Sequence, residues 1–218
     1  MFVQKKSLRN FSEELGVVPE IAYWKSVFSG LIAPKVAVLP YVPRHRELPP
    51  RVLPVNSAWK GIESVLGDLM QTFGIGRSRC LEFGVEYGYS TAALSCFFDS
   101  ITGVDLFVGD KHTVDRRDIF AETSDRLSCF DNIRLVRSDY RDWIASDDSF
   151  YDLIHVDIVH TYIDTFACGL WSARHAKCVL FHDTQSFSAV KRAVVDISRQ
   201  TGKRCYNFKE SYGLGILV

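Results

Sequence analysis

The chain has 218 residues, enough for one large domain with a small extension and a substantial core. Hydrophobic residues make up 47% and charged residues 24%, a balance typical of soluble globular proteins, and no apolar run approaches the roughly 18 residues of a membrane span. Lys plus Arg equals Asp plus Glu at 26 each, so the basic excess that binding a phosphate backbone usually needs is missing and a small-molecule ligand is expected.

Residues 1–56 differ in texture from the rest of the chain. Met1 to Lys6 lead into polar residues rather than an apolar stretch, so no secretory signal is expected. Phe11 to Leu31 has the pattern of one or two short helices, with Ile21, Tyr23, Trp24, Val27 and Phe28 as apolar contacts. Between Pro40 and Pro54 lie five prolines, which deny that segment a regular helix or central strand. It reads as an extended connector across the main domain. The alternative is a lid or homodimer arm bringing Arg44, His45 and Arg46 to a substrate.

Ser57 to Phe73 has helical spacing at Ile62, Val65, Leu66, Leu69 and Met70, with Ser57 as N-cap and Gly74 at the end. Strands are expected at Arg79–Phe83, Ile101–Leu106, Ile133–Arg137, Tyr151–Asp157 and Lys177–Asp183. Helices are expected over 90–98, 119–129, 141–146, 161–173 and 186–199, with a polar loop over 107–118. Residues 203–209 and 213–218 form a closing hairpin. The alternation predicts an α/β fold: a doubly wound, mostly parallel seven-stranded sheet with an antiparallel C-terminal hairpin, over residues 57–218. The six cysteines are scattered without a C-x-x-C pair, so neither a disulfide framework nor a zinc site is indicated, and a reducing cytoplasm is expected.

Ligands of an open parallel sheet bind beyond the carboxyl ends of its strands. Those ends carry Glu82, Asp105, Asp139, Asp157 and the pair His182-Asp183. The run from Cys80 to Ser90 reads as a buried strand, a turn with Gly84 and Gly88, and a helix start. Its spacing Glu-x-Gly-x-x-x-Gly is not the dinucleotide fingerprint. It resembles the first motif of class I S-adenosylmethionine (SAM)-dependent methyltransferases. That resemblance implies a SAM site built on Glu82, Gly84, Gly88 and Ser90, with the methionine part over Gly84. It also places Asp105 at the ribose diol and Ser138, Asp139 and Tyr140 at the adenine.

The second half narrows the resemblance. The run Asp152-Leu-Ile-His-Val-Asp-Ile-Val-His-Thr-Tyr162, then Val179-Leu-Phe-His-Asp183 and Tyr212-Gly-Leu-Gly-Ile216, resembles an O-methyltransferase subfamily reading D-L-I-x-I-D-G-D-H-S-Y and I-x-x-H-D. Members act on sugar hydroxyls of natural products, some with magnesium. The resemblance implies a small hydroxylated acceptor and a divalent metal on Asp157 and Asp183, with Asp157 also near the cofactor; His182 is a further candidate ligand. Val159 replaces the family's second Asp, a candidate base, so His160 or His182 is the expected substitute, their imidazoles being suited to taking a hydroxyl proton. Histidine in the set would favour zinc, manganese or iron over magnesium. His155 reads as a core histidine. Two other readings stay open: a methyltransferase-fold binding protein without transfer activity, and a metal-dependent enzyme of another reaction class on the same fold.

Overall fold

The computed structural model describes residues 18–109 and 116–218. The Met1–Lys6 reading, the first part of the helical pattern over 11–31, and part of the loop over 107–118 lie outside the described residues.

One sheet organises the chain, in the order β1 (Val38–Pro40), β7 (Cys205–Phe208), β8 (Leu214–Leu217), β6 (Ala176–His182), β5 (Tyr151–Val156), β2 (Arg79–Phe83), β3 (Ser100–Asp105), β4 (Ile133–Arg137). β2 to β6 are mutually parallel where they neighbour one another, and β8 runs antiparallel to both β6 and β7. The expected closing hairpin is therefore present. The chain winds outward from β2 through β3 to β4, then crosses back to place β5 on the other side of β2. The β2/β5 boundary is thus the switch point where a doubly wound sheet leaves a crevice.

The sheet has eight strands rather than seven. The extra one, β1, pairs parallel with β7, and the Tyr41 amide extends the ladder to the Asn207 carbonyl at 2.9 Å. Three residues are too few to show an alternating pattern. Pro40 is tolerated because β1 is an edge strand. The helix expected from Ser57 starts later: turns over 58–62 precede a 3-10 turn at Glu63–Val65 and helix α2 at Leu66–Phe73. Gly61 holds a φ of +103°, which an α-helix cannot accept, so the regular spacing begins beyond it.

Alternate strand residues feed two core layers. On one face Cys80, Leu153 and Leu180 pack with Trp59, Ile62, Leu66 and Leu94. On the other, Leu81, Ile154, Val179 and Phe181 pack with Cys168 of α6 (Tyr162–His175) and Val194 and Ile197 of α7 (Ser188–Thr201). The remaining helices are α1 (Val18–Ile32), α3 (Tyr89–Ser95), α4 (Phe120–Leu127) and α5 (Tyr140–Ile144).

The N-terminal part is fastened at two places. The buried carboxylate of Asp68 accepts from the Tyr41 hydroxyl at 2.6 Å and from the amides of Arg44 and His45 at 3.1 and 3.2 Å. Helix α1 sits on α6 and α7, where Asp196 accepts from the hydroxyls of Ser26 and Tyr162 and from Arg192 and Arg199. Among the described residues, no helix is long and apolar enough to cross a membrane.

Candidate active site

A cavity of about 1170 Å³ opens at the carboxyl ends of the parallel strands. Sites for one small ligand usually occupy about 300–1,000 Å³, so this one has room for two. The predicted residues Gly84, Ser90, Asp105, Ser138, Asp139, Tyr140, Asp157, His160, His182 and Asp183 all line it. Glu82 and Gly88 stand outside the wall.

The β2–α3 turn is a backbone device held by a carboxylate. Asp105 accepts from the amides of Val85 and Glu86 at 2.7 and 2.9 Å on one oxygen, and from Phe107 at 2.6 Å on the other. Gly84 lies at φ +88°, and a Cβ there would stand 1.7 Å from the Asp157 carbonyl oxygen. The bare backbone expected to admit a ligand thus first admits the end of β5. Gly88, at φ +83°, makes room for the Leu127 side chain of α4. Glu82 is fully buried, accepting from the Thr91 hydroxyl and facing His155 Nδ1 at 2.9 Å. The Trp59 indole donates to His155 Nε2 at 3.1 Å, so the proton sits on Nδ1 and is donated to Glu82. His155 is the core histidine the sequence suggested. Trp59 reaches the cavity wall through this chain.

At the β4 end, Asp139 caps α5 by accepting from the Arg141 amide at 2.9 Å, while the Ser138 hydroxyl donates to the Asp139 carbonyl. The Tyr140 hydroxyl donates to Asp164 at 2.8 Å, and burial beside that carboxylate pushes the phenol pKa far upward.

At the β5 and β6 ends two carboxylates face two imidazoles. His182 Nδ1 lies 3.1 Å from Asp157, and its Nε2 lies 3.2 Å from the Ser211 carbonyl oxygen. Both partners are acceptors, so both ring nitrogens carry hydrogen and the ring is a cation. Its pKa is raised accordingly: burial opposes the charge, but Asp157 and Asp183 outweigh it. His160 Nε2 lies 2.9 Å from Asp183 and 3.4 Å from Asp157, and its ring stacks on Phe187 at 4.2 Å. Burial again opposes charging, yet hydrogen bonds to the two carboxylates lift the pKa to about 9. For Asp157 burial acts to raise the pKa, and the two histidines reverse this and hold it far below the usual carboxylate range.

The metal-capable set differs from the expected one. Ligand atoms of Asp157, His160 and Asp183 lie within 4.8 Å of one another. His182, expected in that set, instead turns Nδ1 to Asp157 and Asp183 at 3.1 and 3.5 Å and its second nitrogen to the main chain. Asp183 reaches its place with a φ of +64°, a left-handed conformation that Asp tolerates better than most residues. Sequence reasoning also missed the aromatic wall of Tyr23, Trp24, Tyr162 and Phe187. Tyr23 and Trp24 stood out as apolar, but nothing in their spacing says which strand ends they face. Arg44, His45 and Arg46 do not line the cavity; Arg46 pairs with Glu210.

Residues 81–184, from the glycine-turn strand to just past His182-Asp183, match the profile of a methyltransferase domain family. The chain carries a methyltransferase domain. Its sheet order is that of the class I methyltransferase architecture. No curated protein matches the sequence. Several solved structures resemble the methyltransferase. The O-methyltransferase from Bacillus cereus in complex with SAH is 13% identical, with 97% of each chain covered and a TM-score of 0.50. The O-methyltransferase TomG from Streptomyces achromogenes, in complex with SAM, is 15% identical over 69% of this chain and 75% of its own, with a TM-score of 0.50. The N-methyltransferase NodS from Bradyrhizobium japonicum WM9 is 14% identical over 76% and 97%, with a TM-score of 0.51. At such identities the likeness is one of fold.

Proposed function

We propose that this methyltransferase transfers the methyl group of SAM to a hydroxyl oxygen of a small acceptor, with a divalent metal held by Asp157, His160 and Asp183. The observation that carries this reading is the convergence of two carboxylates and one imidazole on the cavity at the ends of β5 and β6. Two oxygen ligands and one nitrogen suit manganese, iron or zinc, with magnesium the harder alternative. A bound ion would supply positive charge that lowers the pKa of an acceptor hydroxyl. SAM supplies a methyl group on a sulfonium sulfur, which needs alignment and exclusion of water.

The chain's own residues supply the rest. His182 fixes the orientation of Asp157, the role that outer-shell partners play for ligating carboxylates. His160 at a pKa of about 9 holds its proton at neutral pH, so in the metal-free protein it is a poor base. Asp105 would take up the cofactor's ribose, and the turn at Gly84 would lie under its methionine part. Three amides already fill three of the roughly four acceptor positions of the Asp105 carboxylate, so it takes one ribose hydroxyl rather than both. Ser138 and Asp139 would receive the adenine.

Metal-free transfer is the second reading. It is favoured by the pairing of both carboxylates with histidines in the structure. Turnover of methyl-labelled SAM with a pool of hydroxylated acceptors, with and without a chelator, separates the two. Loss of label transfer on chelation, restored by manganese or magnesium, supports the metal. Unchanged transfer in the chelated protein leaves the metal-free reading.

A further inference from the structure

We propose that the acceptor is a planar aromatic hydroxyl compound, and that Tyr23 and Trp24 of α1 determine its recognition; this deepens the O-methyltransferase reading and rests on it. The cavity has two unlike walls. The side fed by β3 and β4 carries the polar Asp105, Ser138 and Asp139 among Leu106, Phe107 and Ile119. The side fed by β5 and β6 is aromatic: Tyr23 lies 5.3 Å from Trp24 and 6.4 Å from Tyr162, all three facing the cavity. Phe187 continues this wall and stacks on His160, so the rings run up to the metal-capable group. Trp24 is 53% exposed, leaving a large apolar ring at the cavity that a flat ligand can cover.

A sugar acceptor would need polar groups aimed at each hydroxyl, because buried hydroxyls without partners weaken binding. Beside this wall the carboxylates are taken up by protein partners. Asp196 is engaged by Ser26, Tyr162, Arg192 and Arg199. Asp164 accepts from Tyr140 at 2.8 Å and Thr161 at 2.6 Å, and from Arg141. What remains toward the ligand is mainly ring surface, with Thr161 and Ser188 beside it, ending in one cluster able to engage a hydroxyl. The same Asp196 hub fastens α1, and it holds the Tyr162 ring by its hydroxyl. The N-terminal helix is therefore part of the acceptor pocket, a role that the proline-rich segment after it does not share.

The test uses the full chain loaded with SAH and titrated calorimetrically with 2-naphthol and with its saturated counterpart, decahydro-2-naphthol. The aromatic probe is expected to bind at least tenfold more tightly. Trp24→Ala and Tyr23→Ala should each weaken it about tenfold, with Trp24→Phe recovering most of the loss. Both side chains are partly exposed, so thermal melting should be unchanged, and SAH affinity should stay within twofold. Equal affinity for the two probes, or variants that bind 2-naphthol as well as the wild type does while still binding SAH, overturns the proposal. Failure of SAH itself to bind counts against the methyltransferase reading, and the ratio of the two probes still decides the aromatic wall.

Discussion

The two halves of the cavity are built from different materials. Around β2 and β3 the site is main chain: a glycine turn whose amides are gathered by one carboxylate, Asp105. Around β5 and β6 it is side chains: Asp157, His160, His182 and Asp183, with aromatic rings contributed from as far away as Tyr23. A main-chain site tolerates changes in sequence provided that the turn survives. A side-chain site depends on each group and on what neutralises it. The first half suits a constant ligand, and the second is where specificity and chemistry can vary.

The halves meet at Gly84, and the largest effect is expected there. Gly84→Ala puts a Cβ 1.7 Å from the Asp157 carbonyl oxygen at a φ of +88°. Urea denaturation should show a loss of more than about 3 kcal/mol, or no folded protein at all, since clash and strain add. Wild-type stability in this variant would mean that the two strands can part at little cost and that the halves are not coupled.

Changes confined to one half should separate them. Asp183→Asn removes a charge from the side-chain half, so methyl transfer should fall at least about 100-fold while SAH affinity stays within about threefold, read by labelled turnover and by calorimetry. Asp105→Asn should do the reverse. Replacing a charged acceptor of three amides weakens SAH by about tenfold or more, with little change in the acceptor's KM. If both variants shift both readouts equally, the division is wrong.

The side-chain half should also show itself in stability against pH. His160 has its folded pKa raised to about 9, above the ordinary histidine value of 6.5, by Asp157 and Asp183 against the effect of burial, and His182 faces the same two carboxylates. A raised folded pKa means that the protonated ring stabilises the fold fully below about pH 6.5, and that this contribution is lost as pH rises through about 9. Chelator-treated protein should therefore lose up to about 3 kcal/mol over that interval. His160→Gln should flatten the profile; an equally steep decline in the variant would assign the linkage elsewhere.

The main-chain half was the more legible in sequence because turn chemistry is local. Gly84, Gly88 and Asp105 lie within one strand–turn–helix–strand stretch, and their spacing carries the geometry. Even so, Gly84 is explained by the close approach of β5 and Gly88 by Leu127, contacts that no local pattern encodes. The strand ends at Asp157 and His182-Asp183 were also legible, from apolar runs stopping at polar residues. Which histidine joins the carboxylates was not. That depends on Asp183 turning left-handed and on Ser211, almost thirty residues on, occupying His182 Nε2. Strand β1 was too short to read, and the aromatic wall depends on α1 docking through Asp196, a contact spanning most of the chain.

Isothermal titration of SAM into the folded chain tests the central claim most directly. One-to-one binding is expected, with a dissociation constant between about 1 μM and 1 mM, weakened in Asp105→Asn and retained in Asp183→Asn. A folded sample that shows no binding at millimolar SAM would contradict the account.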